Sequence, residues 1–325
     1  MARFKFAACK FQWLAALALA LPFVAHAQGF PARPVHLIVP NPPGGGLDIM
    51  TRLVQPKLSE SLGVPAIVDN KPGGDGILAS EYVARAAPDG YNLIVASASS
   101  HTANYFLFKK LPYDPIRDFT PIVGAVESIT CVAVNASLPI RSIKDLIESA
   151  KRSPGSLSYG STGATGAYTI SGESFKASSG IDVLHVPYKG FGPAMTALVS
   201  GEVGLIFTSL TTAMPQVKAG KVRVLAVMEH RRYSAMPEVP TVAETVPGFR
   251  GVTIWNGFMG PAGMPAAVVA RLNADLLAAL QSTDVRSKLD ATEVIGGTPQ
   301  EFAAYVRNEL ENFGGIVRLL GLKAE

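Results

Sequence analysis

The chain has 325 residues, with 29 Lys+Arg against 25 Asp+Glu, a formal net charge of +4, 48% hydrophobic residues and only 17% charged ones. Its 31 Gly and 24 Pro follow no fixed period, which excludes collagen and coiled coil, and the apolar content excludes a wholly disordered chain. At about 150 residues per domain, the length allows roughly two domains, each able to bury a core without staples.

Met1–Ala27 reads as an address. Arg3, Lys5 and Lys10, with no acid among them, precede the uncharged apolar stretch Phe11–Ala25. Ala25-His26-Ala27 then places small residues at the two positions a signal peptidase inspects. The apolar run is about 15 residues, short of the ~20 that span a bilayer, so a cleaved leader is expected rather than an anchor. Cleavage is expected between Ala27 and Gln28, with the periplasm as destination. Losing the leader removes three of the 29 bases and none of the 25 acids, leaving a mature charge of +1. No basic patch then remains to release counterions from nucleic acid, and no nucleic-acid partner is expected. Cys131 is the one mature cysteine, so no intrachain disulfide is available, and its apolar neighbours predict a buried thiol.

Along the mature chain, Val35–Val39 predicts a buried strand, Pro40–Asp48 a loop and Ile49–Leu62 a helix with Ile49, Leu53, Leu58 and Leu62 near one face. Val64–Val68 predicts a second strand, Lys71–Gly76 a turn, Ile77–Ala86 a helix and Asn92–Ala96 a third strand. This βαβαβ order predicts a parallel sheet with helices on both faces. Phe119–Asn135 holds two strand-like segments. Ser142, with Asp145 three positions on, predicts a capped helix start. Further strand signals fall at Leu157–Tyr159, Val183–Val186, Val203–Phe207 and Val222–Val227. Pro265–Leu280 predicts a helix, and Thr298-Pro-Gln-Glu301 opens another whose Phe302, Val306, Leu310, Phe313, Val317 and Leu320 recur at 3–4 spacing. With no linker in view, the two domains are expected to share the chain discontinuously. Crossings near 128 and 252 give one lobe from 28–127 plus 252–325 and a second from 128–251.

Several reaction chemistries find no motif. The mature His residues lack HExxH spacing and Cys131 has no pair, so no zinc site is expected; the glycines at 44–46 lack the Lys of a phosphate loop. G-x-G-x-x-G, G-x-S-x-G and S-x-x-K are absent too, so neither cofactor nor catalytic residue is expected. A secreted hydrolase using a Ser, His101 and an acid is the rival reading.

What stands out is a set of small-residue loops after strands. Pro43, Gly44, Gly45 and Gly46, with Asp48, lie between a buried strand and a helix. There backbone N–H groups and the positive helix end can hold a carboxylate without a formal cation; the plain alternative is a rigid turn capped by Asp48. Ser99, His101 and Asn104 follow the third strand, at the carboxyl ends where open α/β sheets bind ligands, although His101 and Asn104 could equally tie loops together. Ser161, Thr162, Thr165 and Gly166 form a similar loop in the middle region. Tyr188, Lys189, Thr208 and Ser209 end further strands, Lys189 also fitting a solvated surface lysine. Trp255 fits a core residue better than a cleft wall.

At these residues the sequence resembles the Bug (TctC-like) family, the extracytoplasmic solute receptors of tripartite tricarboxylate transporters. The blocks that carry the resemblance are Pro-Asn-Pro-Pro-Gly-Gly-Gly-Leu-Asp at 40–48, Asn70-Lys-Pro-Gly-Gly, Ala87-Pro-Asp-Gly-Tyr91, Leu111-Pro-Tyr-Asp-Pro115, His185-Val-Pro-Tyr-Lys-Gly190, Val239-Pro-Thr-Val-Ala-Glu244 and Gly260-Pro-Ala-Gly-Met-Pro265. The resemblance implies an α/β, two-lobed periplasmic-binding-protein fold of type II kind with a ligand cleft between lobes. It implies capture of a small carboxylate (a di- or tricarboxylate, an aromatic acid or an amino acid) for delivery to a membrane permease, or ligand sensing for a signalling system. It also implies carboxylate binding by Gly44–Gly46 beside Asp48 and by Ser161–Gly166. A monomer is expected. Tyr168-Thr169 stand where relatives often carry a His, and Thr208-Ser209 where many carry Asp-Asn. The missing acid favours a non-amino carboxylate.

Overall fold

The computed structural model describes residues 29–161, 166–289 and 291–324. The leader Met1–Ala27, its cleavage point, Thr162 and Thr165 lie outside the described residues. Eleven strands among the described residues form two sheets. The first contains β1 (Val35–Val39), β2 (Ala66–Asn70), β3 (Asn92–Ser97), β4 (Phe119–Ser128), β10 (Ile254–Pro261) and β11 (Thr292–Gly296), in the order β11-β4-β10-β3-β1-β2. The second contains β5 (Thr130–Asn135), β6 (Ser158–Ser161), β7 (Leu184–Pro187), β8 (Leu205–Ser209) and β9 (Val222–Val227), in the order β7-β6-β8-β5-β9.

Strand alternation sends side chains to two faces of each sheet. In the first sheet, Val35, Leu37 and Val39 pack with the helices Gly46–Leu62 and Ala266–Gln281 through Met50, Val54, Leu58, Leu272 and Leu276. Ile38, one position out of phase, faces the other layer, where Ala79 and Val83 of helix Ile77–Ala84 meet Phe302 and Val306 of helix Pro299–Leu320. The second sheet repeats the plan. Val132 and Val134 pack toward helices Ile143–Arg152 and Ala167–Ser179, while Cys131 and Ala133 face helices Phe191–Ser200 and Leu210–Lys218. The Cys131 thiol is fully buried and burial raises its pKa, so it fills space as a small hydrophobe.

The parallel sheet expected of the first three strands forms, and later strands extend it in the antiparallel sense. β1 pairs parallel with β2 and β3, but β10 runs antiparallel to β3 and β4, and β11 antiparallel to β4. The second strand starts at Ala66 rather than Val64, because Pro65 has no N–H and only its carbonyl bonds, to the Val35 amide at 2.9 Å. The first helix starts at Gly46, three residues ahead of the apolar pattern, and ends on Gly63 in the left-handed conformation. The C-terminal helix opens as its sequence predicts. The Thr298 hydroxyl accepts from the Glu301 amide at 3.2 Å while the Glu301 carboxylate accepts from the Thr298 amide at 2.7 Å.

The chain leaves the first sheet at Ser128 and enters the second at Thr130, then returns through residues 228–253. The later half of the C-terminal helix reaches the other lobe. Phe313 and Ile316 pack with Val252, with Phe106 and Leu107, and with Ala167 and Ile170 of helix Ala167–Ser179. Two lobes therefore flank a cleft, bridged at the side by an apolar cluster.

Candidate functional site

The cleft encloses about 1350 Å³. Its walls include Pro40–Pro42, Gly46 and Leu47 after β1, Gly73–Gly76 after β2 and Ser97–Ser99 after β3, all at carboxyl ends of parallel strands. Gly166, Ala167, Thr169, Ile170 and Glu173 enter from the other lobe, and Thr253, Asn256, Glu309 and Asn312 from the crossing region and the C-terminal helix.

Two helix N-termini open on this space. Gly45 caps helix Gly46–Leu62 and Gly166 caps helix Ala167–Ser179, and neither helix end has a side-chain cap. The first-turn amides of such helices have no intrahelical acceptor and carry the positive end of the helix dipole. Gly44 holds φ +84°, a left-handed conformation that glycine adopts without strain. A Cβ added at Gly46, a cleft-lining position, would meet nothing within 4 Å.

Asp48 positions this loop. Its carboxylate accepts from the Gly44 amide at 2.9 Å, from Arg52 Nε at 2.9 Å and from Asn70 Nδ2 at 2.9 Å, and is only 2% exposed. The Arg52 hydrogen bond outweighs the opposing cost of burial, and with the Gly44 and Asn70 donors it lowers the carboxyl pKa to about 2. Asp48 thus lies in the first turn rather than capping it, and it ties the glycine loop to the end of β2. Behind the loop, Gly76 (φ +91°) lets its turn approach Ser100 and Pro40, whose Cβ atoms would lie 3.0 and 3.2 Å from an added Cβ. Asn104 Nδ2 donates to the Asp75 carbonyl at 3.1 Å and fixes the same turn.

Of the residues expected to bind ligand, Gly46, Ser99, Asn104 and Gly166 border the cleft. Pro43, Gly44, Gly45 and Asp48 adjoin these in sequence without lining it, Pro43 and Gly44 being exposed and Asp48 buried. His101 is fully buried, with Nδ1 2.9 Å from Ser100 Oγ and the ring edge-on to Phe119 at 4.5 Å. Burial lowers its pKa to about 3, which holds the imidazole neutral and away from ligand and from any base role. Ser161 is buried, 2.6 Å from His185 Nε2, and accepts from the Thr169 hydroxyl at 3.0 Å. Tyr188 donates to Glu202 at 2.8 Å, Lys189 is exposed, Thr208 is buried, and the Ser209 hydroxyl accepts from the Thr212 amide as a helix cap. None of these last six borders the cleft. Trp255 is a core residue, its indole N–H donating to Thr102 Oγ1 at 3.2 Å, while its residue position still forms part of the cleft wall.

Thr253, Glu309 and Asn312 went unforeseen. The signal lay in the C-terminal helix, whose buried stripe runs Phe302, Val306, Glu309, Phe313 and Ile316, with Asn312 beside it. Two polar residues on an otherwise apolar stripe mark where the helix leaves the core and lines the cleft. Among the described lining residues Lys323 is the one basic side chain, against Asp75, Glu173 and Glu309. Among the described residues no three His, Cys, Asp or Glu side chains converge to hold a metal ion.

A profile of the "Tripartite tricarboxylate transporter family receptor" matches residues 50–322. Among solved structures, the Rhodopseudomonas palustris protein Rpa4515 with adipate is 33% identical, with a TM-score of 0.72 over 91% of this chain and 100% of that one. The same organism's MatC with bound malate is 32% identical, with a TM-score of 0.66 over 89% and 100%. A TctC solute binding protein from Polaromonas, with no ligand, is 25% identical, with a TM-score of 0.80 over 89% and 99%.

Proposed function

Because the chain belongs to the tripartite tricarboxylate transporter receptor family, we propose that it is a periplasmic receptor that closes two lobes on a small carboxylate and delivers it unchanged to the membrane permease of such a transporter. The observation that carries this reading is the pair of glycine-capped helix N-termini, one from each lobe, opening on one cleft that is almost without cations. Uncapped amides satisfy a carboxylate with hydrogen bonds that are charge-assisted yet reversible.

In this reading the first-turn amides of Gly46, Leu47 and Asp48 hold one carboxylate, Asp48 keeping the loop in shape through Gly44. The Gly166 end of the opposite helix approaches the far side of the ligand, and Ser99 supplies a hydroxyl between them. The lobes are residues 28–127 with 252–325, and 128–251. The receptor works as a monomer, matured by cleavage between Ala27 and Gln28.

The cleft volume supports an open state. At about 1350 Å³ it exceeds the roughly 300–1,000 Å³ of pockets that enclose drug-sized ligands. A small acid would leave most of it filled with water unless the lobes approached. Binding to both lobes in the closed form alone shifts the population toward closure, which the permease can read as shape. Adipate and malate, bound by two relatives, are the first ligands to test.

A thermal-shift screen of the mature protein with adipate, malate and citrate tests the reading. A ligand at 100 times its Kd stabilises by about 2.7 kcal/mol, which at about 2 °C per kcal/mol is roughly 5 °C for a chain of this size. No shift with any of the three would refute it.

A further inference from the structure

The cleft of a carboxylate receptor carries more acid than base. One of its acids, Glu309, is 6% exposed yet belongs to the cleft lining. Among the described residues no Lys or Arg pairs with it; its polar neighbour is the Thr253 hydroxyl on the returning crossing. Glu173, the acid on the opposite lobe, is compensated by Lys176 Nζ at 3.1 Å and by the Tyr159 hydroxyl at 2.6 Å. Glu309 has a hydroxyl neighbour in Thr253 but no cation among the described residues.

One neighbouring acid, Glu127, adds negative charge next to Glu309. On β4, Glu127 accepts from Tyr305, one helical turn before Glu309, at 2.9 Å. After β9, buried Glu229 accepts from the Thr130 amide and hydroxyl, both at 2.7 Å, and its second oxygen has no partner among the described residues. Glu293 on β11 is paired with Arg231. Arg250 is directed to Asn312 Oδ1 at 3.3 Å, one turn beyond Glu309. Lys323 near the chain end and Glu173 of helix Ala167–Ser179 share the cleft lining with Glu309. Burial, and the neighbouring Glu127, push the Glu309 carboxyl up to about 7, with the Thr253 hydroxyl opposing. In the open protein at neutral pH the group is therefore divided between its acid and its carboxylate.

Closure changes that balance. Bringing the lobes together removes water from the cleft wall and introduces the ligand's own negative charge, and both effects penalise ionised Glu309. We propose that Glu309 becomes fully protonated when the cleft closes on a carboxylate, so that ligand and proton are captured together. The inference rests on the function proposed above. The proton passes from solvent buffer to a Glu309 carboxylate oxygen; one O–H bond forms there, one breaks on the buffer acid, and nothing is oxidised or reduced. The carboxylates of adipate and malate remain ionised at pH 7, so the proton count is read with these two acids. By linkage, affinity rises as pH falls through the Glu309 midpoint and weakens above it.

The test is calorimetric titration of the mature protein with adipate, malate and citrate, at pH 7 in buffers of different ionisation enthalpy, and across pH 6–8.5. The expected result is net uptake of a substantial fraction of a proton, approaching one as pH rises, with Kd increasing by up to about tenfold per pH unit above the midpoint. Glu309→Gln is expected to remove both the uptake and the pH slope, and Glu309→Asp, which keeps a titratable group, to retain uptake. Binding with heats independent of buffer would overturn this inference and leave the receptor reading standing. Uptake that persists unchanged in Glu309→Gln would place the proton elsewhere and also overturn it. Absence of binding by all three acids would take down the receptor reading and this inference with it.

Discussion

Replacing Gly46 by Asp separates folding from binding. No atom lies within 4 Å of the Cβ that the substitution adds, and Gly46 is not among the positive-φ positions. A carboxylate in the first turn also interacts favourably with the helix dipole, by about 0.3–1 kcal/mol. Removing a glycine from the helix contributes a few tenths more. The variant should therefore melt at or slightly above the wild-type temperature. Its side chain nevertheless projects into the space where the ligand carboxylate is proposed to sit. Two unit charges about 4 Å apart at an effective dielectric near 20 repel by about 4 kcal/mol, equivalent to roughly a thousandfold in Kd. Melting curves without ligand, and calorimetric titration with whichever of adipate, malate or citrate binds the wild type, measure the two effects. Affinity within about threefold of wild type would remove this helix end from the site. A fall in melting temperature of more than about 5 °C would contradict the openness read at Gly46.

Two further substitutions probe the scaffold behind the site. Asp48→Ala leaves the Gly44 amide, Arg52 and Asn70 without their shared acceptor; it should cost about 2–3 kcal/mol in urea unfolding and weaken carboxylate binding through the loosened loop. Because the folded pKa of Asp48 is lowered to about 2 from 3.8, the wild type's stability advantage over Asp48→Asn is fully present above about pH 4. It should disappear as pH falls through about 2, and an advantage independent of pH would refute the assignment. Glu229 shows the opposite sign. Burial raises its pKa from 4.5 to about 7, so ionising it costs stability progressively as pH rises between those values. Glu229→Gln should therefore gain on the wild type between pH 5 and pH 8 in thermal melts, and a gap that stays constant would contradict the buried acid.

Local chemistry was the part of the fold most open to reading from sequence. Val222–Val227 forms β9 with the bounds its β-branched run predicts, and the Thr298–Glu301 capping box forms in both directions. Ser142 caps its helix by accepting from the Asp145 amide at 3.1 Å. The parallel order of β1, β2 and β3 was readable from their alternation with helices, whereas the antiparallel sense of β10 and β11 was not, since strand alternation records which face a side chain takes and not the direction of its neighbour. The same limit applied to the site. The glycine loop at 43–46 is visible because the need for small residues is local. Whether Ser161, Tyr188 or Ser209 turns to a ligand depends on competing partners, and His185, Glu202 and the Thr212 amide engage them. Glu309 and Asn312 were hidden for the converse reason. Only the packing of the C-terminal helix across both lobes brings them to the cleft.

Small-angle scattering of the mature protein, with and without a saturating carboxylate, measures capture between lobes most directly. The wild type should contract on addition of the acid that binds it, and Gly46→Asp at the same concentration should keep the ligand-free profile. Binding with an unchanged wild-type profile, or an equal contraction in Gly46→Asp, would contradict a receptor that closes on its ligand through that helix end.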